Sequence, residues 1–168
     1  MSPGEAGAPG SDCAGVVMDA HGQFSTGDLV FGYGKGALGT AAPASEHTLA
    51  PTPVSILPEA AATTTTVFLT VDAALHAAAN VQRGDVLLVH AVTGGVGGAA
   101  VQVAAAEGIT VLATAGSAKK RCLARGCGVE GVASSRDPAF AAVLGMRGLG
   151  VQCVLNSLTG TNDMWGKA

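Results

Sequence analysis

The stretch from Val86 to Ala106 constrains this chain most: an apolar run of strand length, Val86-Leu-Leu-Val, passes through His90-Ala-Val-Thr93 into four glycines among five residues and then into a small-residue segment. The small residues recur with helical spacing at Ala100, Val103 and Ala104, so the pattern predicts a strand, a tight turn and a helix start. Glycine suits such a turn because it tolerates positive φ and lets backbone N–H groups approach a ligand. The helix N-terminus adds unpaired donors and a partial positive charge, which suit a pyrophosphate. The spacing Gly95-x-Gly97-x-x-Ala100 fits the dinucleotide fingerprint, in which the last small residue lets helix and strand pack closely. In a chain with 25 glycines the competing reading is a glycine-rich helix start that binds nothing. A side chain at Gly95 or Gly97 is expected to fill the pyrophosphate space and leave the fold intact.

At 168 residues there is room for one full domain, or for parts of two. The chain is 48% hydrophobic and only 12% charged, against roughly 25% charged in an average soluble domain, so it has the means to bury a core. The net charge is −3, and the cations are scattered apart from Lys119-Lys120-Arg121, which makes no nucleic-acid footprint. The N-terminus has neither the basic start nor the apolar core of a secretory signal, and no apolar run approaches the ~20 residues of a membrane span. A cytoplasmic protein, with no membrane partner, is expected. Cys13, Cys122, Cys127 and Cys153 form no C-x-x-C pair, which predicts free buried thiols and no metal site. His21, His47, His76 and His90 show no ligand spacing either and read as surface or satisfied core histidines.

Four segments follow in order. Residues 1–57 comprise a flexible Pro/Gly/Ala/Ser start and short strands at Cys13–Met18 and Leu29–Gly32, which suggest a piece of a small β-barrel. Residues 58–83 read as a helical linker that begins at Pro58 and passes through Thr63–Thr66, which is poor helix material. Residues 84–160 alternate strand and helix: strands at Val86–Val89, Ile109–Thr114, Val129–Ser134 and Val151–Asn156, with helices after the glycines, at Ala118–Arg125 and at Pro138–Leu144. Such alternation predicts an α/β unit with a parallel sheet. Residues 161–168 are a tail.

An acid about 20 residues past the glycines would hold the ribose 2′-hydroxyl of NAD, whereas a basic group would suit the 2′-phosphate of NADP. The zone Thr114 to Arg121 has no acid and carries Ser117, Lys120 and Arg121, which fits NADPH. The alternative is that Lys119 to Arg121 form a solvated helix face.

The motifs Leu87-Leu-Val-His-Ala-Val-Thr-Gly-Gly-Val-Gly-Gly, Ala113-Thr-Ala-Gly-Ser-Ala-Lys-Lys-Arg, Ser134-Ser-Arg-Asp137 and Val154-Leu-Asn-Ser-Leu158 stand in one order. Together they resemble the enoyl reductase domain of polyketide and fatty-acid synthases, in the zinc-free quinone-oxidoreductase branch of the medium-chain dehydrogenase/reductases. Asp12-Cys-Ala-Gly-Val-Val and Gly27-Asp-Leu-Val-Phe-Gly are similar to the end of that family's GroES-like module. The resemblance implies a partial Rossmann domain preceded by the tail of a GroES-like β module. The implied activity is NADPH-dependent reduction of an α,β-enoyl thioester on an acyl carrier protein, with hydride delivered to the β-carbon and a proton to the α-carbon. By matching motif, Thr93, Gly94, Gly95, Val96 and Gly97 would line the pyrophosphate, and Ser117, Lys120 and Arg121 would face the 2′-phosphate. Ser135 and Arg136 would lie near the adenosine, Asn156 and Ser157 near the nicotinamide ribose, and Thr70 near the nicotinamide.

The chain departs from the family at Thr70-Val-Asp72-Ala73-Ala-Leu, where two aromatics are replaced and an acid is gained. The family's proton donors would fall outside Met1–Ala168, and Gly166-Lys167 matches one of them only in two letters. No catalytic residue is therefore assigned; Asp72, His76 and Lys35 are the first groups to test, and the chain by itself is expected to be inactive. A sheet of order 3-2-1-4 would leave the strand at Val151–Leu155 as an open edge for a complementing chain. Other synthase domains are the further partners the resemblance implies. Two alternatives remain: a non-catalytic dinucleotide-binding or scaffolding segment, and a free-standing quinone reductase.

Overall fold

The structure, a computed structural model, describes residues 7–19, 22–137, 140–145 and 148–157. His21, Pro138 and the tail with Gly166-Lys167 lie outside them. The chain divides into two units, Met1–Leu69 and Thr70–Ala168.

In the first unit, β1 (Asp12–Val16), β2 (Leu29–Tyr33) and β3 (Leu49–Pro51) form an antiparallel sheet in that order. Cys13 stands opposite Gly32, and Val30 opposite Pro51. Helix α1 (Pro58–Ala61) starts on its proline and stops after one turn. The threonines stop it: the hydroxyls of Thr63 and Thr64 donate to the carbonyls of Ala60 and Ala61, each at 2.8 Å, three residues back. Helix α2 (Thr65–Asp72) then restarts the winding because Asp12 of β1 accepts from both the backbone N–H and the hydroxyl of Thr66. A tertiary contact thus makes a helix where propensity argues against one.

The second unit continues through a π-helical turn, Ala73–Ala78, which the sequence pattern does not reveal. Its parallel sheet comprises β4 (Val86–Val89), β5 (Thr110–Ala115), β6 (Gly131–Ser134) and β7 (Cys153–Leu155), ordered β6-β5-β4-β7. In chain order that is 3-2-1-4, as expected. Helices α3 (Gly95–Glu107), α4 (Ala118–Gly126) and α5 (Phe140–Gly145) connect the strands.

All four residues of β4 are buried, as in a strand covered on both faces. On one face Val86, Leu88, Leu112 and Ala133 form a cluster against which Phe140 and Leu149 pack. Alternation turns Leu87 and Val89, both fully buried, to the other. Gln152 clamps β7 to β4, its N–H donating to the Val86 carbonyl at 3.0 Å and its side-chain oxygen accepting from the Val86 N–H at 2.7 Å. Among the described residues β7 is a sheet edge, with Val154 41% exposed.

All four cysteines are free, but contrary to expectation none is fully buried: Cys13 and Cys153 are half-buried, and Cys122 and Cys127 are exposed. The exposed pair lies on a short basic helix and at its C-cap, where only Ala124 turns inward. Among the described residues, no helix is long and apolar enough to cross a membrane, and no group of three or more His, Cys, Asp or Glu could hold a metal ion.

Candidate functional site

The parallel sheet places four segments at the C-terminal ends of its strands, the edge at which open α/β sheets bind ligands. Thr93–Gly97 follow β4, Ser117–Arg121 follow β5, Ser135 and Arg136 follow β6, and Asn156 and Ser157 follow β7. Thr70 is the exception. It is exposed on α2, and no strand end carries it to this edge.

Gly94 is the N-cap of α3 in an extended conformation and contributes no capping side chain. The first intrahelical bond runs from Gly98 N–H to the Gly94 carbonyl at 2.8 Å, so the N–H groups of residues 95–97 precede the helical ladder. Gly94 and Gly95 are exposed, whereas Gly97 is buried. A β-carbon on Gly97 would lie 2.6 Å from Val92 Cα and 2.7 Å from the Ala91 carbonyl oxygen. This corrects the expectation that a side chain at Gly97 would leave the fold intact. Glycine is needed there because the first turn of α3 rests on the backbone leaving β4.

After β5, the Ser117 hydroxyl caps α4 by accepting from the Lys120 N–H at 3.3 Å. Arg121 folds back so that its guanidinium donates to the Ala115 carbonyl at 3.3 Å. From β6, Arg136 reaches across the same turn: the position a β-carbon would take on Gly116 is 3.4 Å from Arg136 Nε and 3.6 Å from Ser135 Oγ. The sheet therefore brings Ser117, Arg121, Ser135 and Arg136 around Gly116, while Lys120 projects exposed from α4. Two guanidinium groups beside a small residue suit a dianion.

At the root of the glycine turn, His90 and Thr114 are the buried polar side chains of this region. His90 Nδ1 lies 2.8 Å from the Thr114 hydroxyl, and its ring meets Phe140 edge-on at 5.4 Å. Burial pushes the His90 imidazole below its ordinary value, favouring the neutral ring. Ser157 donates its hydroxyl to the His90 carbonyl at 3.2 Å, fixing the segment after β7 to β4. Of the two readings the sequence leaves for His90, surface or satisfied core, the structure shows the buried one; the pairing itself is not legible in the sequence, because Thr114 is 24 residues away.

His76 is held elsewhere. Its Nδ1 lies 2.8 Å from Asp72 and its Nε2 3.0 Å from Glu107 at the C-terminal end of α3. Twelve residues at 1.5 Å each separate Glu107 from Gly95, about 18 Å along the helix. Asp72 and His76 are thus committed to each other and to the far end of α3, away from the glycine turn. Lys35 belongs to the first unit.

No family model matches the chain. It is 39% identical over 161 residues to the highly reducing polyketide synthase azaB of Aspergillus niger, covering 90% of this chain and 6% of the synthase. The crystal structure of the CurK enoyl reductase superposes with a TM-score of 0.80 at 34% identity, over 89% of this chain and 47% of that one. The mycobacterial protein Rv1454c, solved in complex with NADPH, superposes with a TM-score of 0.84 at 29% identity, over 95% and 53%. The chain therefore spans a small part of that synthase and about half of the solved chains. Its antiparallel sheet corresponds to the tail of a GroES-like module and its parallel sheet to part of a Rossmann domain. Fold and sequence together place the chain with the enoyl reductase domains of polyketide synthases, within the quinone-oxidoreductase group of the medium-chain dehydrogenase/reductases, as part of such a domain.

Proposed function

We propose that this chain is the NADPH-binding part of an enoyl reductase acting within a polyketide synthase, on an α,β-enoyl thioester carried by an acyl carrier protein. The observation that carries the reading is the convergence of Ser117, Arg121, Ser135 and Arg136 around Gly116, on the same sheet edge as an exposed glycine turn. The residues fit the cofactor. N–H groups of the first turn of α3, with Thr93 to Gly97, would take the pyrophosphate. Arg136, Arg121, Lys120 and Ser117 would take the 2′-phosphate, and Ser135 would lie beside the adenosine. Asn156 and Ser157 would lie toward the nicotinamide ribose. Thr70 is the remaining candidate for the nicotinamide end. When bound, the cofactor supplies a hydride for the β-carbon of the enoyl group. This chain's part is to bind and orient it, and no residue is assigned to the proton.

The segmentation at residues 57/58, 83/84 and 160/161 belongs to this proposal, as do contacts with other synthase domains. Titration of NADPH and NADH against the wild type, Arg136→Ala and Lys120→Ala/Arg121→Ala tests it. Charge-assisted bonds contribute about 1.5–3 kcal/mol each, so NADPH should bind at least ~10-fold tighter than NADH, and the variants should lose that preference. Equal affinities for the two nucleotides in the wild type would overturn the reading.

A further inference from the structure

We propose that Thr114 and His90 are positioning residues for the glycine turn: together they hold Ala91 in a left-handed backbone and thereby orient the first turn of α3. The proposal deepens the reading of that turn as a nucleotide site and rests on it.

Ala91 has φ +51°, a conformation disfavoured for a residue with a β-carbon. Such a residue persists where its surroundings over-determine it. Here one residue of β5 grips both of its neighbours. The Thr114 hydroxyl lies 2.8 Å from His90 Nδ1, and the Thr114 carbonyl accepts from the Val92 N–H at 3.2 Å. Thr114 is completely buried, so both bonds are shielded from water.

His90 is tied on other sides as well. Its N–H donates to the Leu155 carbonyl at 3.0 Å, its own carbonyl accepts from Ser157, and Phe140 meets the edge of its ring. With residues 90 and 92 anchored, the reversal between them falls on Ala91. The Ala91 carbonyl then accepts from the Gly94 N–H at 2.9 Å and lies within 2.7 Å of where a Gly97 β-carbon would stand. Both the N-cap and the third residue of α3 are therefore set by the direction of one strained peptide. Neutral His90, favoured by burial, completes the arrangement.

The test uses two probes: NADPH, and adenosine 2′-monophosphate, which has the 2′-phosphate and adenine but no pyrophosphate. Thr114→Val removes the hydroxyl at nearly constant volume. It should weaken NADPH about tenfold and leave adenosine 2′-monophosphate within about twofold. His90→Asn, which keeps a polar atom near the position of Nδ1, should stay within about threefold of wild type for NADPH. Adding Ala91→Gly to Thr114→Val should restore most of the lost NADPH affinity, because glycine adopts the left-handed conformation freely. Equal loss on both probes, or no rescue by Ala91→Gly, would overturn the proposal. If the wild type binds neither probe, the nucleotide reading itself fails. Amide exchange at Gly94, whose N–H bonds Ala91, then decides: faster exchange in Thr114→Val supports the brace, and unchanged exchange refutes it.

Discussion

Gly97→Ala should destabilise the fold even though it places a better helix former in a helix. The added β-carbon would stand 2.6 Å from Val92 Cα, 2.7 Å from the Ala91 oxygen and 2.8 Å from the Val92 carbonyl carbon. All three are backbone atoms, and they are tethered by the Val92 N–H to Thr114 bond and by the Gly94 N–H to Ala91 bond. No rotamer change can relieve the overlap. The start of α3 would have to move by roughly 1 Å to reach ordinary carbon contact of about 3.5–4.0 Å. Overpacking of this kind costs about 1–3 kcal/mol, against a propensity gain of up to ~1 kcal/mol for alanine over glycine. A net loss of roughly 1–2 kcal/mol is expected, or a thermal midpoint about 2–8 °C lower. Gly98→Ala is the matched control, because a β-carbon there meets nothing within 4 Å. It should leave stability unchanged or raise it by up to ~1 kcal/mol. Urea denaturation of both variants, with equal m-values, gives the comparison. If Gly97→Ala is as stable as Gly98→Ala, the claim that Gly97 serves packing is wrong.

His76 should titrate above the ordinary imidazole value of about 6.5, with Glu107→Gln lowering its pKa more than Asp72→Asn, because the Glu107 hydrogen bond is the larger cause. Its folded pKa is raised, so its contribution to stability is present below about pH 6.5 and is lost as pH rises through the folded value; imidazole proton NMR reads both. His90 runs the opposite way. With its folded pKa depressed by burial, stability should fall as pH drops below about 6.5 toward the folded value, in urea midpoints measured across that range. Leu112→Ala should cost about 2–5 kcal/mol, while Leu123→Ala, 60% exposed, should stay within about 0.5 kcal/mol by the same denaturation. A disulfide reagent at neutral pH should label Cys122 and Cys127 before Cys13 and Cys153, whose thiols burial pushes up; equal rates for all four would contradict the exposures.

The alternation of strand and helix, the 3-2-1-4 sheet and the loops after its strands were legible in the residues themselves. Apolar runs of strand length, a glycine turn and helical small-residue spacing are local signals, and right-handed crossovers leave few ways to order four parallel strands. The basic stretch after β5 was legible for the same reason. Contacts between distant residues were not. Asp12 starts α2 across 54 residues, Arg136 reaches Gly116 from the next strand, and Thr114 grips His90 from 24 residues away. Gly97 shows the division within one residue. Its place in a glycine pattern was visible, but its reason, the backbone of Ala91 and Val92 pressed against it, exists only once β4 and α3 have packed. Secondary structure follows from neighbours along the chain, whereas strain, burial and the partners of polar groups are decided by which strands lie side by side.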